Sequence, residues 1–170
     1  MPTEEKPEKK QSPKNTSLNE KAEKFQKFLE ENNINVFSEE NLDDNLKTVV
    51  FRSRIETKGQ ILPMAIIIDT SVFTLIRTQI ISGVTAKKQQ KLVEFLNQLN
   101  MEYKIFKYYL QPDGIIFLDV CLPFVEKTFD SNMIQLMLNI LVQHLNDTYE
   151  TIMSEIWSHS KPTDKQSTIK

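Results

Sequence analysis

Apolar residues recur at intervals of three and four from Phe129 to Trp157, the longest regular pattern in the chain. Ile134, Met137, Leu138, Leu141, Leu145, Tyr149, Ile152, Met153 and Ile156 fall in one stripe of a helix, with Gln135, Asn139, Gln143, Asp147, Glu150 and Ser154 opposite. So long an apolar stripe needs a broad apolar surface to lie on. Five strand-like runs supply one, and the pattern therefore predicts a sheet carrying a long helix.

The remaining elements follow in chain order. Residues 1–16 hold three prolines among polar residues and no large apolar residue after Met1, a composition expected to be disordered. Ser17 and Glu20 have the spacing of a capping box, which predicts a helix with Leu18, Phe25, Phe28 and Leu29 on its apolar side, stopped at Asn32-Asn33. Residues 34–45 form an acidic connector, from which Val36, Phe37 and Leu42 are expected to tuck inward. Lys47 to Glu56 alternates and predicts a strand with one wet face; Lys58-Gly59 turns the chain into Ile61–Ile68, apolar on both sides and expected mid-sheet. Pro63 lacks an N–H and belongs near the start of that strand or at a bulge. After Asp69-Thr70-Ser71, Val72 to Ile81 completes a meander of three antiparallel strands.

Gly83 ends the meander, Thr85 is placed to cap a short helix carrying Leu92, Phe95, Leu96 and Leu99, and Asn100 is expected to end it. Glu102 to Leu110 reads as a fourth strand and Ile115 to Leu122 as a fifth, joined by a turn at Gln111-Pro112-Asp113-Gly114. Asp130 or Ser131 caps the closing helix. The expected order is αβββαββα, an α+β domain over residues 17–157 with a disordered tail at 158–170.

Composition narrows the function classes. A net charge of -2 offers no overall attraction to nucleic acid or anionic lipid, and no apolar run is long enough to span a membrane. The lone Cys121 cannot form an internal disulfide, which fits a reducing, cytoplasmic setting. Three glycines, each at a turn, cannot build a phosphate-binding loop. His144 reads as a helix-flank residue and His159 as part of the tail, and with Cys121 they fall short of a zinc set. A Cys121, His144 and Asp119 nucleophile arrangement can be written down, yet Cys121 lies within a strand and lacks an activating turn. Asp69 and Asp119 could pair as acid and base; Asp69 reads more simply as a turn former, and a buried Asp119 as needing a basic partner on a neighbouring strand. Asp43-Asp44 reads as a solvated turn. No catalytic, cofactor or metal residue is assigned.

The surface feature worth following is the wet side of the sheet, where Arg52, Arg54 and Arg77 fall at strand positions interleaved with Tyr108 and Tyr109. Arg52, Arg54, Arg77 and Tyr108 are the candidate partner-binding face. Strand parity sends Lys104 and Lys107 to opposite faces, which argues against a basic patch for nucleic acid.

The element order, the hairpin at Pro112-Asp113-Gly114, Asp119 behind it, and a closing helix with Tyr149 and Trp157 together resemble the YbjN family. That resemblance implies the fold of type III secretion chaperones, a domain that often pairs with itself, a loose assignment to sensory-transduction regulation, and no established catalysis. It also implies a polypeptide as the expected ligand. The reading is a non-catalytic interaction module; the alternative is a small-molecule binder or an enzyme using a pocket where sheet and helix meet. Strands apolar on both faces predict a homodimer, unless Phe25, Phe28, Phe95 and Leu99 of the first two helices cover the second face.

Overall fold

The computed structural model describes residues 19–158, so the expected N-terminal tail, Ser17, Leu18 and residues 159–170 lie outside the described residues, while Ser158, expected to begin the second tail, is the last residue of the long helix. The elements are α1 (Glu20–Glu31), β1 (Ser38–Asn41), β2 (Val49–Thr57), β3 (Gln60–Ile68), β4 (Phe73–Ile81), α2 (Ala86–Glu102), β5 (Lys107–Leu110), β6 (Ile116–Pro123) and α3 (Ser131–Ser158), with one 3-10 turn at Glu126–Thr128. The strands form one antiparallel sheet in the order β1-β2-β3-β4-β6-β5. It has six strands rather than five. The extra one, β1, lies inside the acidic connector and is exposed along its whole length, so no alternation of side chains marks it. Within that connector Phe37 does pack, edge-on to Phe25 at 6.0 Å, whereas Val36 stays 67% exposed.

The long helix forms where the stripe predicts it. Asp130 accepts the N–H of Asn132 at 2.9 Å, and Ile134, Leu141, Leu145, Ile152 and Ile156 are buried against the sheet. Each such side chain contributes about 2 kcal/mol of hydrophobic stabilisation. The cap of α1 is Asn19, whose Oδ1 accepts from Ala22 N–H at 3.1 Å while its Nδ2 donates to the carbonyls of Lys47 and Ile68. One buried amide thus ties helix, connector and β3 together. Lys21, in the next turn, is buried too, and its Nζ donates to Ser71 O at 2.6 Å and Phe73 O at 3.3 Å. Burial lowers its pKa, against the pull of Asp69 and Glu126.

The second helix runs past Asn100 to Glu102, and β5 begins only at Lys107. Asn100 is not a stop. Its amide faces the outer edge of β5, donating to Tyr108 O at 2.9 Å and accepting Tyr108 N–H at 2.7 Å, as a further strand would. The Lys58-Gly59 turn has positive φ at both residues, as a two-residue type I′ hairpin requires. Gly114 closes the other hairpin by donating to Gln111 O at 2.9 Å, and there a Cβ would stand 2.4 Å from Val84 O.

All three helices lie on one side of the sheet. Phe25 of α1 meets Phe51 at 4.9 Å, α3 lies beside α1 and β2, and α2 lies between α3 and the β5 edge. Phe25, Phe28, Phe95 and Leu99 therefore do not cover the second face, which corrects the single-chain account of its burial. Val49, Phe51, Ile55, Leu62, Met64, Ile66, Ile68, Ile76, Ile116, Leu118 and Val120 make the core beneath the helices.

Candidate functional site

The helix-free side of the sheet is organised in cross-strand rows. Val50, Ile67, Leu75 and Cys121 are register partners from β2 to β6, and so form one apolar row. The next row reads Arg52, Ala65, Arg77, Asp119 and Lys107. Beyond it stand Arg54 and Pro63 on one side, Gln79, Phe117 and Tyr109 on the other. A depression of about 490 Å3, lined by Leu42, Val50, Ala65, Ile67, Arg77 and Phe117 among others, runs across these rows.

Two of the three cations in the polar row are matched to carboxylates, and the third, Lys107, lies 5.9 Å from the Tyr109 ring. Arg77 grips Asp119 with two parallel bonds, Nε to Oδ1 at 3.0 Å and Nη2 to Oδ2 at 2.9 Å. Its guanidinium also lies 5.3 Å from the Phe117 ring and 5.8 Å from Tyr109, which stack on each other at 5.8 Å. Asp119 is buried, and the basic neighbour its burial demands is Arg77, directly opposite on β4. Desolvation pushes the Tyr109 phenol up to about 12, with the Asp119 charge adding to it. Arg52 is held by Glu40 of β1 at 2.7 Å. Arg54 stands exposed on the same side.

Tyr108 does not belong to this face. It alternates with Tyr109, points beneath the helices, and is buried with its hydroxyl 2.7 Å from His144 Nε2. That correction follows from the β5–β6 register, which sets Tyr108 opposite the buried Leu118 and Tyr109 opposite Phe117 of the open face. Lys107 lies on the open face, and Lys104 falls before the strand. His144 is itself in the buried stripe of α3, not on its flank. Its ring stacks on Phe106 at 4.0 Å and meets Tyr103 edge-on at 4.4 Å, and burial lowers its pKa to about 4.

These positions separate the groups that nucleophilic catalysis would need. Cys121 is on the open face and His144 is under the helices, so the sheet stands between them. Desolvation, then the Asp119 charge, raises the Cys121 thiol and disfavours the thiolate. Asp69 accepts Ser71 N–H at 2.8 Å in the β3–β4 turn, away from Asp119 in mid-sheet. Asp44 accepts Thr48 N–H at 3.0 Å and so closes the turn before β2. Among the described residues no three of His, Cys, Asp and Glu converge in the manner of a metal site, and no helix is long and apolar enough to cross a membrane.

Two cavities open where sheet and helices meet. One, of about 310 Å3, lies among Phe25, Phe28, Phe37, Ile55, Leu138 and Val142. The other, of about 570 Å3, lies between the ends of β3 and β4 and the last turns of α3. Sequence alternation signals neither, because both depend on where neighbouring elements part. Compared with known proteins, the chain matches no family model, no curated protein and no solved structure.

Proposed function

We propose that this chain is a non-catalytic protein-interaction module whose working surface is the helix-free face of the sheet, with a second copy of itself as first partner and a client polypeptide as a further one. The observation that carries this reading is the apolar row Val50–Ile67–Leu75–Cys121, laid across four strands on a side that no helix covers, with Val50 buried, Ile67 and Leu75 half-buried and Cys121 exposed. An apolar row flanked mostly by matched charges suits a protein partner, which buries area and meets few unpaired ions. They suit nucleic acid poorly, since Arg52 and Arg77 already hold carboxylates. The non-catalytic part is supported by the separation of Cys121 from His144 and by the structural bonds that occupy Asp69 and Asp119. The resemblance in element order to YbjN-like proteins, and through them to type III secretion chaperones, points the same way and belongs to the proposal.

Sedimentation velocity across the micromolar range tests it. The expected result is reversible growth of a dimer from the 19.9 kDa chain, abolished by Ile67→Asp with the circular dichroism spectrum intact. A 19.9 kDa species at every concentration overturns the homodimer. Should Ile67→Asp fail to fold, Leu75→Lys on the adjoining strand makes the same test.

A further inference from the structure

The sheet is continuous at one end and split at the other. β2 and β3 stay paired to their hairpin, from Val49↔Ile68 to Thr57↔Gln60, but β3 and β4 pair only from Met64↔Thr78 to Ile68↔Thr74. Pro63, which has no N–H to donate, is the first residue of β3 beyond that ladder, and Gln79, where a bulge shifts the β4–β6 register, is the first of β4. The strands part there, and the cavity of about 570 Å3 fills the gap, with Tyr149, Glu150, Met153 and Trp157 of α3 as its third wall. That volume is in the range of ligand sites, roughly 300–1,000 Å3.

Three features of this gap say what it would hold. Tyr149 lines the cavity with its ring buried, and its hydroxyl is open to the cleft and bonds to no other group among the described residues, so it is available to a ligand. The facing strand edges, residues 60–63 and 79–81, have no ladder partner toward each other, so they present main-chain groups that an amide would satisfy. The walls add aromatic and thioether surface from Trp157, Tyr149 and Met153, while the charged pair at the rim, Lys58 and Glu150, is matched at 3.7 Å.

We infer that the cleft between β3, β4 and the end of α3 is a binding site for a neutral ligand that joins an amide to an aromatic ring, as an aromatic residue within an extended peptide does. The amide lies between the parted strands, the ring lies against Met153 and Trp157, and the Tyr149 hydroxyl bonds to the ligand carbonyl. The cleft borders the open face, sharing Pro63 and Gln79 with the depression there, but it does not include the apolar row, and its occupation does not require self-association.

The test uses N-acetyl-phenylalaninamide as probe and the nitrogen-15 amide spectrum of the full chain as readout. Saturable shifts are expected at Ile61, Leu62 and Gln79–Ser82 and in the last turns of α3. N-acetyl-alaninamide should produce none of them at equal concentration. Tyr149→Phe, which removes only the hydroxyl, should weaken the probe by roughly tenfold. No shift at the cleft, shifts confined to the cavity beside Phe28, or equal affinity in Tyr149→Phe would each overturn the assignment. Ile67→Asp should leave probe binding unchanged while abolishing the dimer, so the two proposals fail separately.

Discussion

His144 shows what one buried side chain contributes and when it stops doing so. Its imidazole sits between Phe106 and Tyr103 and faces the Tyr108 hydroxyl, with the charges of Asp147 and Glu102 raising its proton affinity. Desolvation outweighs both and holds the folded-state pKa at about 4, against 6.5 in an unfolded chain. The folded protein therefore refuses a proton that the unfolded chain accepts between these values. Stability from this residue is complete above about pH 6.5, falls with pH, and has declined by at most about 3 kcal/mol near pH 4. Urea unfolding at pH 7 and pH 4.5 should show a steeper acid loss in the parent than in His144→Gln, which accepts a hydrogen bond but does not titrate. Equal losses would contradict this account. The sequence could not place His144 so deep, because it borders Leu145 and Gln143 on a helix whose apolar stripe is broad enough to hide one polar residue that finds a partner. That partner, Tyr108, became visible only once the parity of β5 was known.

At the scale of elements, what was legible was whatever repeats. The 3.6-residue stripe of α3 and the alternation of β2 locate those elements to within a few residues, and the Lys58-Gly59 and Gln111–Gly114 turns are announced by their own residues. The missed features have no periodic signature. Strand β1 has no buried residue, since its contribution is main-chain pairing with β2 and the Glu40–Arg52 bridge. Asn19 replaced Ser17 as the cap because its amide also reaches two carbonyls distant in sequence. Asn100 looked like a helix stop because Asn often is one; here its side chain covers a strand edge that would otherwise be open to pairing with another chain. Asn100→Ala should leave α2 in place and free the Tyr108 amide. Hydrogen exchange at Tyr108 should then quicken by about tenfold, the equivalent of one lost bond of about 1.4 kcal/mol, while Leu118 within β6 keeps its rate. Unchanged exchange at Tyr108 would mean that the edge is protected by something other than Asn100.

For the molecule as a whole, the question is which force would drive two copies together. Arg77 and Asp119 are matched within one chain, and so are Arg52 and Glu40, which leaves Arg54 and Lys107 as like charges that repel between two copies, so salt has no ionic attraction on this face to screen. The apolar row is different, because removal of apolar area from water is not weakened by added ions and is strengthened by sulfate. Association through this face should therefore survive roughly 1 M sodium chloride, where the Debye length is about 3 Å, and tighten in sodium sulfate. Cys121 gives a local reading of the same event. It ends the apolar row, is exposed in the single chain, and has its thiol pKa raised by desolvation, so alkylation starts slow and should slow further as concentration rises and a second copy covers it. Sedimentation in the two salts together with alkylation at two protein concentrations separates the cases. A dimer that dissolves in sodium chloride and leaves Cys121 equally reactive at both concentrations would be an ionic contact made elsewhere on the surface. The apolar face would then be assigned to a client polypeptide alone.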